Sequence, residues 1–111
     1  MYEELRRAVC DANIAMETHQ LVIYSWGNVS GIDRGAGIVI IKPSGVPYRA
    51  LTPEQMVAVD MEGEVIEGDL KPSSDTPTHL ELYRHFSGVG GICHTHSRHA
   101  VMWAQAQREI P

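Results

Sequence analysis

Cysteine is nearly absent from this 111-residue chain: Cys10 and Cys93 are the only two and lie far apart. Such a pair gives no disulfide framework. It reads as two reduced, buried or half-buried thiols, the pattern of a cytoplasmic protein. The opening "MYEELRRAV" is charged and amphipathic, unlike a secretory signal. No apolar run approaches the roughly 18 residues of a membrane span. Basic residues are also few, nine Lys and Arg against fourteen Asp and Glu, for a net charge of −5. With no basic cluster, the electrostatic footprint of a nucleic-acid partner is missing. Aromatics make up only 6% of the chain, too few for base-stacking platforms.

What is present is a 43% hydrophobic content, enough to bury a core, at a length that suits one domain over residues 1–111. Leu5, Val9, Ala12 and Met16 fall on one helical face and predict a helix over 3–17. "LVIYSWGNVSGID" reads as two short strands bent at Gly27. "GIVIIKP", residues 37–43, is a β-branched run closed by Pro43, as expected of a strand buried on both faces. Thr52 and Pro53 start a helical turn. "MVAVD" and "EVIEG" then form a hairpin about Glu62–Gly63, with a solvated acidic face. "PSSDTPTHLELYRHF" carries helix-start signals, and "GVGGICHTH" reads as a strand followed by a helix capped by Ser97. Strands and helices alternate irregularly. The expected fold is therefore α/β, a mixed and largely antiparallel sheet with helices packed on it. Trp26 and Trp103 read as core residues, His79 and His85 as surface or capping residues, and His19 as part of a turn.

The chemistry-bearing residues gather at strand ends. In a strand, His94 and His96 point to one side and Thr95 to the other. Two imidazoles side by side begin a divalent-metal site, though the same pattern also serves as a hydrogen-bonded polar pair. His99 lies in the following helix as a surface or supporting residue. Asp75 in "KPSSDTPTH" is either a helix cap or a carboxylate for a metal. Ser73 and Ser74 beside it suit a phosphate held at a helix N-terminus, or a cap alone. Gly27 and Asn28 stand at a bend where backbone can approach a ligand. Lys42 is followed by Ser44 and Gly45 in a tight turn. Three polar turns at the ends of apolar strands, with a histidine pair, suit an anionic small molecule held beside a metal ion.

"WGNVSGID", "IKPSGVPY", "KPSSDTPTH" and "GICHTHSRHA", in this order and at these spacings, resemble the class II aldolase family. The resemblance runs from about residue 3 to the last residue. It implies a three-layer α/β/α fold, here the N-terminal half of such a domain. It implies one zinc ion per subunit, with His94 and His96 as two of three histidine ligands and Asp75 as the carboxylate at the metal and a catalytic residue. Gly27, Asn28, Lys42, Ser44, Gly45, Ser73 and Ser74 would line the substrate and phosphate pocket. The aldolases of the family usually carry glutamate where this chain has Asp75. That difference tilts the reading toward the family's sugar-phosphate 4-epimerases, which convert L-ribulose 5-phosphate to D-xylulose 5-phosphate. The chemistry implied is retro-aldol cleavage between C3 and C4, rotation of the aldehyde fragment, and re-addition to its other face. The alternatives are an aldolase cleaving a ketose 1-phosphate of fuculose or rhamnulose type, and a non-catalytic module binding a sugar phosphate or a metal. Family members are about twice as long, and their third histidine and their acid and base residues lie in the second half. The family also implies a homo-tetramer, with neither nucleic acid nor membrane as partner.

Overall fold

The computed structural model describes residues 1–111. Helix α1 (Glu3–Thr18) leads through an irregular strap to β1 (Asn28–Asp33) and β2 (Ile38–Ile41). Two short 3-10 turns, Tyr48–Ala50 and Pro53–Gln55, precede β3 (Val57–Asp60) and β4 (Val65–Glu67). Helix α2 (Thr76–His85), β5 (Gly91–His94) and α3 (Arg98–Gln105) follow. The strands form one sheet in the order β4-β3-β2-β1-β5. Every pairing is antiparallel, so the expected mixed sheet is wholly antiparallel. The connection through α2 explains it: the chain returns to the β1 edge running opposite to β1.

The register sorts the side chains into two layers. Val29, Ile38, Ile40 and Ala58 face α1, where Val9, Cys10 and Met16 meet them. Val39, Val57 and Val59 face α2 and pack on Leu80 and Tyr83. β2 is therefore buried on both sides, as its continuous apolar run requires. Burying each of these Val and Ile side chains is worth about 1.5–3 kcal/mol. Helices cover both faces of the sheet, giving the three layers.

Two buried polar side chains anchor α1. Asn13 donates to the carbonyls of Val9 and Val29 and accepts from the Val29 amide at 2.8 Å. Arg6 donates to the carbonyls of Met1 and Met56 and pairs with Glu67. Close approach of α1 to β1 depends on Gly31, where an added Cβ would lie 3.0 Å from Leu5 and 3.1 Å from Val9.

Several expectations give way here. Only the second half of "LVIYSWGNVSGID" is a strand; residues 21–27 form no regular element. Leu21, Ile23, Tyr24 and Trp26 are exposed there, so Trp26 is not in the core. Trp103 is half-buried in α3, a helix with no buried residue. Cys93 is exposed, while Cys10 is buried. His79, expected at the surface, is 1% exposed between α2 and β1. The hairpin and the start of α2 lie where the turn signals put them. No helix is long and apolar enough to cross a membrane.

Candidate active site

Four turns converge at one end of the sheet, where β1 begins and β2 and β5 end. They enclose a cavity of about 390 Å³. Its lining includes Gly27, Asn28, Lys42, Ser44, Gly45, Ser73, Ser74, Asp75, His94 and His96, so all ten singled-out residues meet there. Ser25, Trp26 and Pro43 complete the wall and were not anticipated. Backbone bonds stitch two of the turns together: the Ser44 amide donates to the Lys71 carbonyl at 2.8 Å, and the Ser73 amide to the Lys42 carbonyl at 3.0 Å.

Lys42 is the cation of the cavity and is only 2% exposed. Its Nζ donates to the carbonyls of Pro43 at 3.3 Å and Ser25 at 3.5 Å, and lies 4.9 Å from the centre of the Tyr48 ring. It forms no ion pair. Burial alone lowers its pKa from the ordinary lysine value. A buried ammonium beside serine hydroxyls and without a carboxylate suits an anionic ligand.

Asp75 stands at the N-cap of α2, yet its side chain makes no capping bond. It turns into the cavity, where Oδ2 accepts from Asn28 Nδ2 at 2.7 Å and lies 2.9 Å from His94 Nδ1. Burial opposes ionisation of this carboxyl. The hydrogen bonds from Asn28 and His94, with the charge of His94, outweigh it and hold the pKa below the usual aspartate value. A carboxylate can only accept, so Nδ1 of His94 carries a proton, and Nε2 is the nitrogen that faces away from Asp75.

His94 closes β5, whereas His96 lies just beyond it, pinned by its amide to the Leu21 carbonyl at 2.8 Å. Their rings still sit side by side, with centroids 4.9 Å apart, and Trp26 lies 5.7 Å from His96. The donor chemistry fits a divalent ion of zinc type, since two imidazole rings lie side by side in the cavity wall. No three His, Cys, Asp or Glu side chains converge as a metal cage, however. Asp75, expected at the metal, bonds to His94 in this structure, in the manner of a carboxylate orienting a histidine ligand. His99 is exposed on α3 and takes no part.

Beneath the cavity lie three polar residues that the sequence did not point to as part of a site: Ser30, Tyr83 and His79, the last expected at the surface. His79 Nε2 is 2.6 Å from Asn28 Oδ1, and Nδ1 is 2.6 Å from Ser30 Oγ, which is 2.8 Å from the Tyr83 hydroxyl. Burial pushes the pKa of His79 down to about 4, against the pull of Asp75, so the ring is neutral near pH 7. A signal was available. Thr76, His79, Leu80 and Tyr83 share one helical stripe, and Asn28 and Ser30 share one face of β1.

Comparison with known proteins adds an independent line. Residues 7–111 match the family described as Class II Aldolase and Adducin N-terminal domain. An L-fuculose 1-phosphate aldolase superposes with a TM-score of 0.90 at 26% identity, over 95% of this chain and 50% of that one. The L-fuculose-1-phosphate aldolase of Thermus thermophilus is 30% identical, with a TM-score of 0.76 over 95% of this chain and 52% of its own. The YgbL protein of Escherichia coli, provisionally assigned as an aldolase, epimerase or decarboxylase, gives 0.80 at 28% identity, over 94% and 47%. The chain thus spans about half the length of the structures it resembles.

Proposed function

We propose that this chain, which belongs to the class II aldolase and adducin N-terminal domain family, is the N-terminal half of an enzyme that breaks and remakes a carbon–carbon bond in a ketose phosphate. The observation that carries the reading is the placement of buried, unpaired Lys42 in the same cavity as Asp75, His94 and His96. One end of the cavity suits a phosphate and the other a polarised sugar oxygen.

Lys42, with the hydroxyls of Ser44, Ser73 and Ser74, would hold the phosphate. The α2 N-terminus adds its dipole, and Gly27 and Gly45 let backbone approach the substrate. Asn28 would orient the sugar while fixing Asp75. His94 and His96 would hold a divalent ion such as zinc, with remaining donors from outside these residues. When bound, that ion supplies a Lewis acid for the ketose carbonyl oxygen. The phosphate grip suits bond cleavage, because the aldehyde fragment then turns without leaving. Assembly of full-length subunits into a homo-oligomer, a tetramer by family likeness, belongs to the same proposal.

The leading reaction is inversion at C4 of L-ribulose 5-phosphate to give D-xylulose 5-phosphate, favoured by aspartate rather than glutamate at position 75. The second reading is cleavage of a ketose 1-phosphate, favoured by the similarity to L-fuculose 1-phosphate aldolases. Incubation of the full-length protein with Zn(II) and either L-ribulose 5-phosphate or L-fuculose 1-phosphate, followed by 31P NMR, separates them. D-Xylulose 5-phosphate is the expected product. Dihydroxyacetone phosphate from fuculose 1-phosphate would favour the aldolase, and binding of both sugars without turnover would favour a non-catalytic module.

A further inference from the structure

The side chains beneath the cavity have one consistent order of donors. A neutral amide offers an acceptor at Oδ1 and donors at Nδ2. Asn28 Nδ2 faces the Asp75 carboxylate at 2.7 Å and Ser73 Oγ at 2.8 Å. Turning the amide over would set its oxygen against that carboxylate, acceptor against acceptor. Oδ1 must therefore face His79, and His79 Nε2 must donate to it. Nδ1 of the same ring is then bare and accepts from the Ser30 hydroxyl, whose oxygen accepts from Tyr83. Asn28, Ser30, His79 and Tyr83 are each at most 2% exposed, so water cannot substitute for a missing partner. No buried polar side-chain atom in the molecule lacks a partner, and the chain of bonds runs unbroken from Tyr83 to His94.

We infer that His79 is a positioning residue: the relay Tyr83–Ser30–His79 locks the orientation of the Asn28 amide, and through Asp75 it sets which ring nitrogen of His94 is left free for a ligand. The inference rests on the proposed function only in the word ligand, since the hydrogen-bond order holds whatever the cavity binds. His79 touches neither substrate nor metal. It acts by removing the freedom of groups that do.

The test reads ring nitrogens directly by long-range 1H–15N NMR on the uniformly 15N-labelled 111-residue chain near pH 7. In the unaltered protein His79 is expected protonated at Nε2 and His94 at Nδ1. The opposite tautomer at either ring overturns the relay, and this measurement requires no variant. His79→Gln keeps a donor near the Nε2 position, whereas His79→Asn mimics only Nδ1. His79→Gln should therefore retain the His94 Nδ1–H tautomer, and His79→Asn should give a mixture. Thermal unfolding followed by circular dichroism confirms that both variants are folded. A folded His79→Asn with an unchanged His94 tautomer would refute the positioning role.

Cobalt(II) titration in parallel separates this claim from the functional one. If the unaltered chain binds cobalt, His79→Asn should weaken binding about 10- to 100-fold, and His79→Gln much less. Equal affinity in both variants would count against the relay. If the unaltered chain binds none, the donors from outside these residues are indispensable to the metal, and the tautomers alone decide the relay.

Discussion

At Lys42 an ammonium group faces two carbonyl oxygens with no carboxylate beside it, and almost no water reaches it. Folding gains little from such a group, because desolvation disfavours its charge. Lys42→Met keeps the length of the side chain and removes the charge. Phosphate or sugar-phosphate affinity, measured by calorimetry, should fall by roughly 1.5–3 kcal/mol, about 10- to 100-fold. The urea midpoint should stay equal or rise. A lowered midpoint with unchanged phosphate affinity would make Lys42 structural. His79 makes the complementary prediction for pH. Its folded pKa of about 4 lies below the ordinary 6.5, so between these values the unfolded chain binds more protons. Stability should therefore decline as pH falls from 6.5 toward 4, by about 3 kcal/mol in all. Urea titrations across this range check it, and His79→Gln should flatten the slope. Asp75, with its lowered pKa, adds its own loss only at still lower pH, below the ordinary 3.8.

Among the elements, the strap over residues 21–27 decides the shape of the cavity wall. It has one backbone bond of its own, from the Trp26 amide to the Ile23 carbonyl, and is otherwise held from outside. The His96 amide binds the Leu21 carbonyl, and the Tyr48 hydroxyl binds the Trp26 carbonyl at 2.8 Å. Gly27 ends it with φ +81°, and a Cβ there would lie 2.7 Å from the His94 carbonyl oxygen. Gly27→Ala thus suffers backbone strain and a clash against β5 together. It should cost about 1–3 kcal/mol or more in chemical denaturation. Gly37 also has positive φ but nothing within 4 Å. Gly37→Ala should therefore cost only about 1–2 kcal/mol, from backbone conformation alone. Equal costs at the two sites would mean that the close approach to His94 has no energetic weight.

On the scale of the whole molecule, burial is concentrated at the centre of the sheet and thins toward β5 and α3. Val39, Ile40, Ile41, Val57, Ala58 and Val59 are all 0% exposed, whereas no residue of β5 or α3 is buried. Hydrogen exchange should follow this gradient. Amides of β2 and β3 should open only with global unfolding, and those of α3 by local fraying, orders of magnitude faster. Uniform protection across the sheet and α3 would contradict it. The consequence for function is direct, since His94 and His96 sit on the weakly held side and Lys42 on the firmly held one. Phosphate binding should accordingly be the more robust property of these residues, and metal binding the more readily lost.

The elements were legible because their causes are local. The apolar face of α1, the β-branched run of β2, the Glu62–Gly63 turn and the Thr-Pro start of α2 each act over a few residues. The ten cavity residues were legible because their types and order are distinctive, even though they come from four separate turns. Tertiary structure alone decided what those residues do to one another. By sequence Asp75 has no visible partner, and only the return of β5 alongside β1, pairing His94 with Asn28, makes it the acceptor for both. His79 looked like a surface histidine because a titratable side chain is seldom buried without partners. Its partners lie 49 and 51 residues away in sequence, on a strand that α2 covers. Local chemistry fixes which elements form, but hydrogen bonds between distant residues exist only once packing has excluded water and brought the donors and acceptors together.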